Sequence, residues 1–192
     1  LIGLYILLSL PAIAILAGIF LYNRLVRRDQ MARNGWSDID VQLKRRADLV
    51  PHLVDAVKGY AAHEQSLFAE VVEKRNAALA AGGDVDARGR TESDFSQPVA
   101  RLIALGEAYP ELKASENFLG LQKELANTEN KIEMARRFYN GAVRELNVAV
   151  STFPGNLLAG PLGFAHRTYF EIKTAEAAAP QIDLRSPRES DA

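Results

Sequence analysis

The stretch Trp36–Ala61, WSDIDVQLKRRADLVPHLVDAVKGYA, decides the fold: Trp36, Ile39, Leu43, Ala47, Val50, Val54, Val57 and Ala61 recur at alternating spacings of three and four. That period places them on one stripe of an α-helix, and such a stripe is made for partner helices. Leu49, Leu53 and Tyr60 widen its shoulder. Pro51 lies inside the pattern, where a proline either bends a continuous helix or starts a new one. The reading adopted is a continuous helix that extends back to the N-terminus, with a break at Pro51 as the alternative.

Behind the stripe lies Leu1–Tyr22, LIGLYILLSLPAIAILAGIFLY, which carries no charge. At about 1.5 Å per residue, a helix of this length crosses the roughly 30 Å hydrocarbon core of a bilayer with its backbone hydrogen bonds satisfied internally. A cleavable signal is the competing reading, since Ala12-Ile13-Ala14 has the spacing of a processing site. Ile15–Tyr22 continues apolar past that site, and no cysteine is present for lipid attachment, so a retained anchor is expected. The flank that follows, Asn23–Asn34, carries Arg24, Arg27, Arg28 and Arg33 against the single acid Asp29. Arginines beside a span are retained on the cytoplasmic side and attract anionic headgroups by about 1 kcal/mol each. The N-terminus is therefore expected outside and the body in the cytoplasm; a periplasmic body is the alternative. If unbroken from Leu1 to Gly59, the helix is a rod of about 88 Å.

The net charge of −1 gives no electrostatic footprint for nucleic acid, and none is expected as a partner. The absence of cysteine excludes disulfides, thiolate metal sites and a cysteine nucleophile.

Downstream, the apolar pattern resumes through Leu67, Val71 and Leu79 and stops at Gly82-Gly83. The polar, aperiodic segment from Gly82 to Ser96 reads as a mobile loop between antiparallel helices. Ser96 reads as a cap and Pro98 as part of the first turn of a helix ending near Ala108, with Tyr109-Pro110 as its stop. The longest soluble pattern then runs Phe118, Leu121, Leu125, Thr128, Ile132, Ala135, Tyr139, Ala142, Leu146 and Ala149, and predicts a helix from Ser115 to Phe153. Asn156–Phe164 is turn-rich. Phe164, Tyr169, Phe170 and Ile172 are expected to pack back on the bundle. The expected organisation is an anchor at 1–22, a helical body at 23–172 and a flexible tail at 173–192.

Ile39–Val54 (IDVQLKRRADLVPHLV), Tyr109-Pro110-Glu111-Leu112-Lys113, Thr128-Glu129-Asn130-Lys131-Ile132, Ala135-Arg136, Tyr139-Asn140 and Phe153-Pro154 together resemble the LemA family of bacterial membrane proteins. The resemblance runs from the span to about Ile182, departing at the glycine loop. It implies an all-α fold, an N-terminal transmembrane helix followed by an antiparallel up-and-down four-helix bundle with long first and last helices. It brings no reaction and no catalytic residues.

The residues themselves point away from catalysis. His52, His63 and His166 are far apart in sequence, and no His-Glu-x-x-His occurs. Asp38, Asp40, Asp48, Glu129 and Glu133 could meet in a bundle core, but a di-metal carboxylate site needs Glu-x-x-His pairs, and Ile132 and Arg136 stand where the histidines belong. No cofactor, metal or catalytic residue is therefore expected. Asp40–Lys44 and Glu133–Arg137 are spaced for i,i+4 pairs. Arg45, Arg46, Asp48, Glu129, Asn130, Arg136, Asn140 and Asn147 lie beside the apolar stripes, where they form either a cross-helix polar network or an exposed interface.

The function expected from this reading is that of a non-enzymatic, single-span scaffold or adaptor. It would self-associate at the inner face of the bacterial cytoplasmic membrane and organise or shape that membrane. Its partners would be the lipid bilayer, further copies of the chain, and a membrane protein. The alternative is an accessory subunit of a membrane protease or envelope-stress complex.

Overall fold

The structure, a computed structural model, describes the backbone of residues 2–172 and the side chains of residues 11–172. The tail expected at 173–192 and the side chains of Leu1–Leu10 lie outside the described residues. The fold is all-α: α1 (Ile2–Lys58), α2 (Gln65–Ala80), α3 (Val85–Glu107), α4 (Pro110–Lys113), α5 (Glu116–Ser151) and α6 (Gly155–Ala159), with no strand among the described residues.

At 57 residues, α1 is a rod of about 85 Å. Pro51 stays inside it. A proline in a helix interior costs about 3 kcal/mol, and here the buried Val50, Leu53, Val54 and Val57 hold the helix together on both sides of it. Among the described residues no helix is long and apolar enough to cross a membrane. From Pro11 the uncharged stretch lasts only to Asn23, ahead of Arg24, and the rest of the sequence expected to span lies in Leu1–Leu10.

The stripe of α1 pairs with α5 in antiparallel register. Leu25 shares a cluster with Ala149, Arg28 meets Glu145, Trp36 meets Tyr139 and Arg46 meets Glu129. Gly35 lets the two backbones close in, since a Cβ there would stand 3.1 Å from the Tyr139 Cα. α2 turns back along α1, with Arg75 bonded to the Ala47 carbonyl. α3 then runs parallel to α1, from Arg88 opposite Asp40 to Gly106 against Val57 and Phe118. The core at this end gathers Val50, Val57, Phe68, Val71, Phe95, Leu102, Phe118 and Leu125.

Toward the N-terminal part of α1 the covering changes. α3 begins at Val85, and beyond that level the α1–α5 stripe is roofed by α6 and by the segment 164–172, which is neither helix nor strand. This strap seats Phe170, fully buried, against Trp36 and Tyr139, and Phe164 against Tyr22. The expectation that these aromatics pack back on the helices agrees with that placement, although Tyr169 stays exposed.

The expected loop at 82–96 is helix from Val85 on, and only Gly82, Gly83 and Asp84 form the turn. Asp84 caps α3 by accepting the Ala87 N–H at 2.7 Å, and Arg88, Glu92 and Phe95 are buried at helical spacing. The inward stripe of this helix is charged, so apolar periodicity could not reveal it. Ser96 is therefore no cap: its hydroxyl donates to the Glu92 carbonyl at 2.8 Å, and Pro98 is buried mid-helix. The stop at Tyr109-Pro110 is as read, Tyr109 taking the extended conformation (φ −103, ψ 108) that a following proline favours. Ser115 precedes α5 in extended geometry but its side chain makes no capping bond. The turn-rich segment contains the short α6, and Gly163 turns into the strap at φ +78.

Candidate functional site

Two polar constellations cross the helix interfaces. The first is a buried charge cluster joining α1, α3 and α5. Glu92 is 1 % exposed between Arg46 (2 %) and Arg88 (4 %). Arg46 Nη2 bonds Glu92 Oε2, and Arg46 Nη1 donates to Glu129 Oε1 at 3.0 Å. Arg88 Nε lies 2.9 Å from Glu92 Oε1 as an ion pair, and Arg88 Nη1 donates to the Ala78 carbonyl at 2.9 Å. Arg88 also reaches Asp40 at 3.5 Å, so Asp40 pairs across helices rather than with Lys44 as its spacing suggested. The Arg46 guanidinium stands 5.3 Å from the centre of the Phe95 ring, a cation–π distance. Burial alone would lower the Arg46 pKa; the charges and hydrogen bonds of Glu129 and Glu92 outweigh it and raise it.

A chain this size has no chemical need for three buried charges. Replaced by apolar side chains, such clusters often cost nothing, whereas removing one member is expensive. The cluster ties three helices: Arg46 on α1 pairs with Glu92 on α3 and Glu129 on α5, and Arg88 on α3 pairs with Glu92 and with Asp40 on α1.

The second constellation holds the strap. Asn140 Nδ2 donates to the Phe170 carbonyl at 3.0 Å, and its Oδ1 accepts the Phe170 N–H at 2.9 Å. Two turns on, Asn147 does the same to Arg167, both bonds at 2.9 Å. Seven helical residues rise about 10.5 Å, close to the reach of three extended residues, so the two asparagines match the strap's spacing. Tyr139 donates to the Thr168 carbonyl at 2.9 Å, and Arg136 to that of Ile172 at 3.3 Å. Burial raises the Tyr139 pKa, with the Arg167 charge opposing and Asp86 adding to the rise. Arg167 clamps Asp29, Nε and Nη2 each 2.8 Å from Oδ1. Burial would raise the Asp29 pKa, but hydrogen bonds from Arg33 and Arg167, with their charges, hold it below its ordinary value.

The residues singled out from the sequence thus separate. Arg46 and Glu129 belong to the charge cluster; Arg136, Asn140 and Asn147 belong to the strap seat. Arg45 pairs with Glu124 at 2.6 Å on the surface, and Asp48 stands 3.7 Å from Arg75. Asn130 is exposed and joins neither constellation. Of the flanking arginines, Arg28 meets Glu145 at 3.2 Å and Arg33 bonds Asp29 at 2.7 Å, while Arg24 and Arg27 are exposed. The Glu133–Arg137 pair forms along α5 as its spacing suggested. Missed at the level of sequence were Asp29, Arg88, Glu92 and Arg167. The i,i+4 spacing of Arg88 and Glu92 was the only signal available for that pair.

Neither constellation converges on a cleft with nucleophile–base geometry. Among the described residues no group of three or more His, Asp or Glu side chains could hold a metal ion. His63 is a surface residue near Glu64, and His166 lies 3.3 Å from the Ser151 hydroxyl.

The chain is similar to magnetosome protein MamQ 2 of Paramagnetospirillum magneticum, at 26 % identity over 90 % of this chain and 73 % of the relative. It is similar to magnetosome protein MamQ of Magnetospirillum gryphiswaldense, at 27 % identity over 80 % of this chain and 66 % of the relative. It is also similar to protein LemA of Metamycoplasma hominis, at 25 % identity over 80 % of this chain and 70 % of the relative. The family model for LemA matches residues 35–184, a range that holds the charge cluster and the strap seat apart from Asp29 and Arg33, and the chain belongs to the LemA family.

Proposed function

We propose that the chain is a non-enzymatic membrane scaffold: a single N-terminal span carrying an up-and-down four-helix bundle that self-associates at the inner face of the bacterial cytoplasmic membrane. The observation that carries this reading is the continuity of α1, in which the uncharged N-terminal stretch and the core stripe from Leu25 to Val57 belong to one helix. A body joined to its anchor without a loop has a fixed tilt and a fixed face toward its neighbours. Arg24, Arg27 and Arg28 at the junction support the inward orientation. The relatives quoted above are named for a location or a family and not for a reaction, which favours an architectural role.

Exposed Val41 on α1 and Met134 on α5 offer apolar surface for a neighbouring copy. The test is the mass of the full chain in mild detergent and in nanodiscs, by light scattering with imaging of the same sample. An ordered homo-assembly is expected. A lone monomer contradicts the scaffold, and a monomer bound to one defined membrane protein favours an accessory subunit instead.

A further inference from the structure

The antiparallel pairing of α1 and α5 brings together arginines more than a hundred positions apart. Arg24, Arg27 and Arg28 of α1 and Arg137 and Arg144 of α5 line one groove of about 520 Å³, with Glu145 as its only acidic wall. Glu145 is already engaged by Arg28. Arg137 is engaged by Glu133 outside the groove, while Arg24, Arg27 and Arg144 have no ion-pair partner among the described residues. So many guanidiniums around one opening repel one another unless an anion sits among them. Their planar forks suit a phosphate oxygen pair better than a point charge.

The floor is of the opposite character. Met31 and Phe138 are 44 % and 48 % exposed in it, and Gly141 leaves it open, since a Cβ there would meet nothing within 4 Å. A soluble phosphate has no use for this floor. An amphiphile does, and exposed Phe20, Leu16 and Ile13, at helical spacing before Arg24, prolong α1's apolar surface from the groove along the uncharged N-terminal stretch.

We infer that this groove binds the headgroup of an anionic phospholipid, with the phosphate among the arginines and the glycerol and upper acyl carbons on Met31 and Phe138. The inference rests on the membrane reading above and adds to it a lipid preference set by α5, a helix outside the span and its flank.

The test uses the full chain in neutral detergent, titrated with phosphatidylglycerol, phosphatidylcholine or inorganic phosphate, with lipid binding read by native mass spectrometry. Flotation with phosphatidylcholine vesicles reports insertion separately. The wild type is expected to prefer phosphatidylglycerol at least tenfold. Arg137→Gln/Arg144→Gln should lose that preference while still floating, and Arg101→Gln on α3 should keep it. Floating without preference, or with a preference untouched by the double substitution, overturns the inference alone. Displacement of the lipid by inorganic phosphate at comparable concentration overturns the lipid in favour of a free anion. Failure to float with any vesicle overturns the membrane reading beneath it.

Discussion

Asn140 grips both backbone groups of Phe170, donating to its carbonyl and accepting its N–H, at 3.0 and 2.9 Å. One side chain thereby replaces the ladder neighbour an extended segment would otherwise need. Asn140→Ala leaves two buried polar groups without partners, at about 1–3 kcal/mol each. The expected result is a lowered melting temperature with fast hydrogen exchange confined at first to residues 164–172. Asn140→Asp keeps the acceptor and should fall between the two.

Glu92 stands between two buried arginines, and its removal takes from both their one buried carboxylate, leaving Arg46 the half-exposed Glu129 and Arg88 the exposed Asp40. Glu92→Ala is expected to cost about 3–5 kcal/mol by denaturant titration, the range for breaking a buried pair from one side. Glu129 is 45 % exposed, so Glu129→Ala should cost about 1 kcal/mol or less. Equal losses would contradict this ranking.

Gly89 and Gly120 separate strap contact from helix propensity. A Cβ at Gly89 would stand 2.4 Å from the Glu171 carbonyl oxygen, whereas at Gly120 it would meet nothing within 4 Å. Gly89→Ala is expected to destabilise and to loosen the strap. Gly120→Ala is expected to stabilise by about 0.5–1 kcal/mol, as alanine does over glycine in a helix. Thermal unfolding of both variants checks the opposite signs.

Asp29 supplies a pH dependence. Its folded pKa lies below the unfolded value of about 4, so its contribution is full above that value and disappears as pH falls through the lower, folded one. Protonation releases the Arg167 side chain and removes one of the strap's fastenings. Trp36, the only tryptophan, packs 5.3 Å from the Phe170 ring and reports the release. Its fluorescence should change with a midpoint below about pH 4. Asp29→Asn should abolish that transition, and a midpoint above the ordinary carboxylate value would contradict the assignment.

What could be read from the sequence follows its apolar spacing. The stripes from Trp36 to Ala61 and from Phe118 to Ala149 gave α1 and α5, and the family they resemble is the family the chain belongs to. The N-terminal half of α3 escaped because its buried face is Arg88, Glu92 and Phe95, and a charged core has no hydropathy period. The strap escaped in part for another reason: its seat is built from Asn140 and Asn147 to backbone groups, which carry no sequence signature. Arg46 and Glu129 were recognisable as polar residues beside a stripe, but their partner Glu92 sits in the segment read as a loop.

The proposed rigid connection of an N-terminal anchor to the body is tested most directly by a distance along α1. The chain has no cysteine, so Leu16→Cys and Lys44→Cys, both at exposed positions, can be spin-labelled alone in the full chain in nanodiscs. One continuous helix separates the two backbone positions by about 42 Å and yields a narrow distribution. A broad or distinctly shorter distribution would mean that the helix breaks between the apolar stretch and the body, and would contradict the scaffold with a fixed tilt.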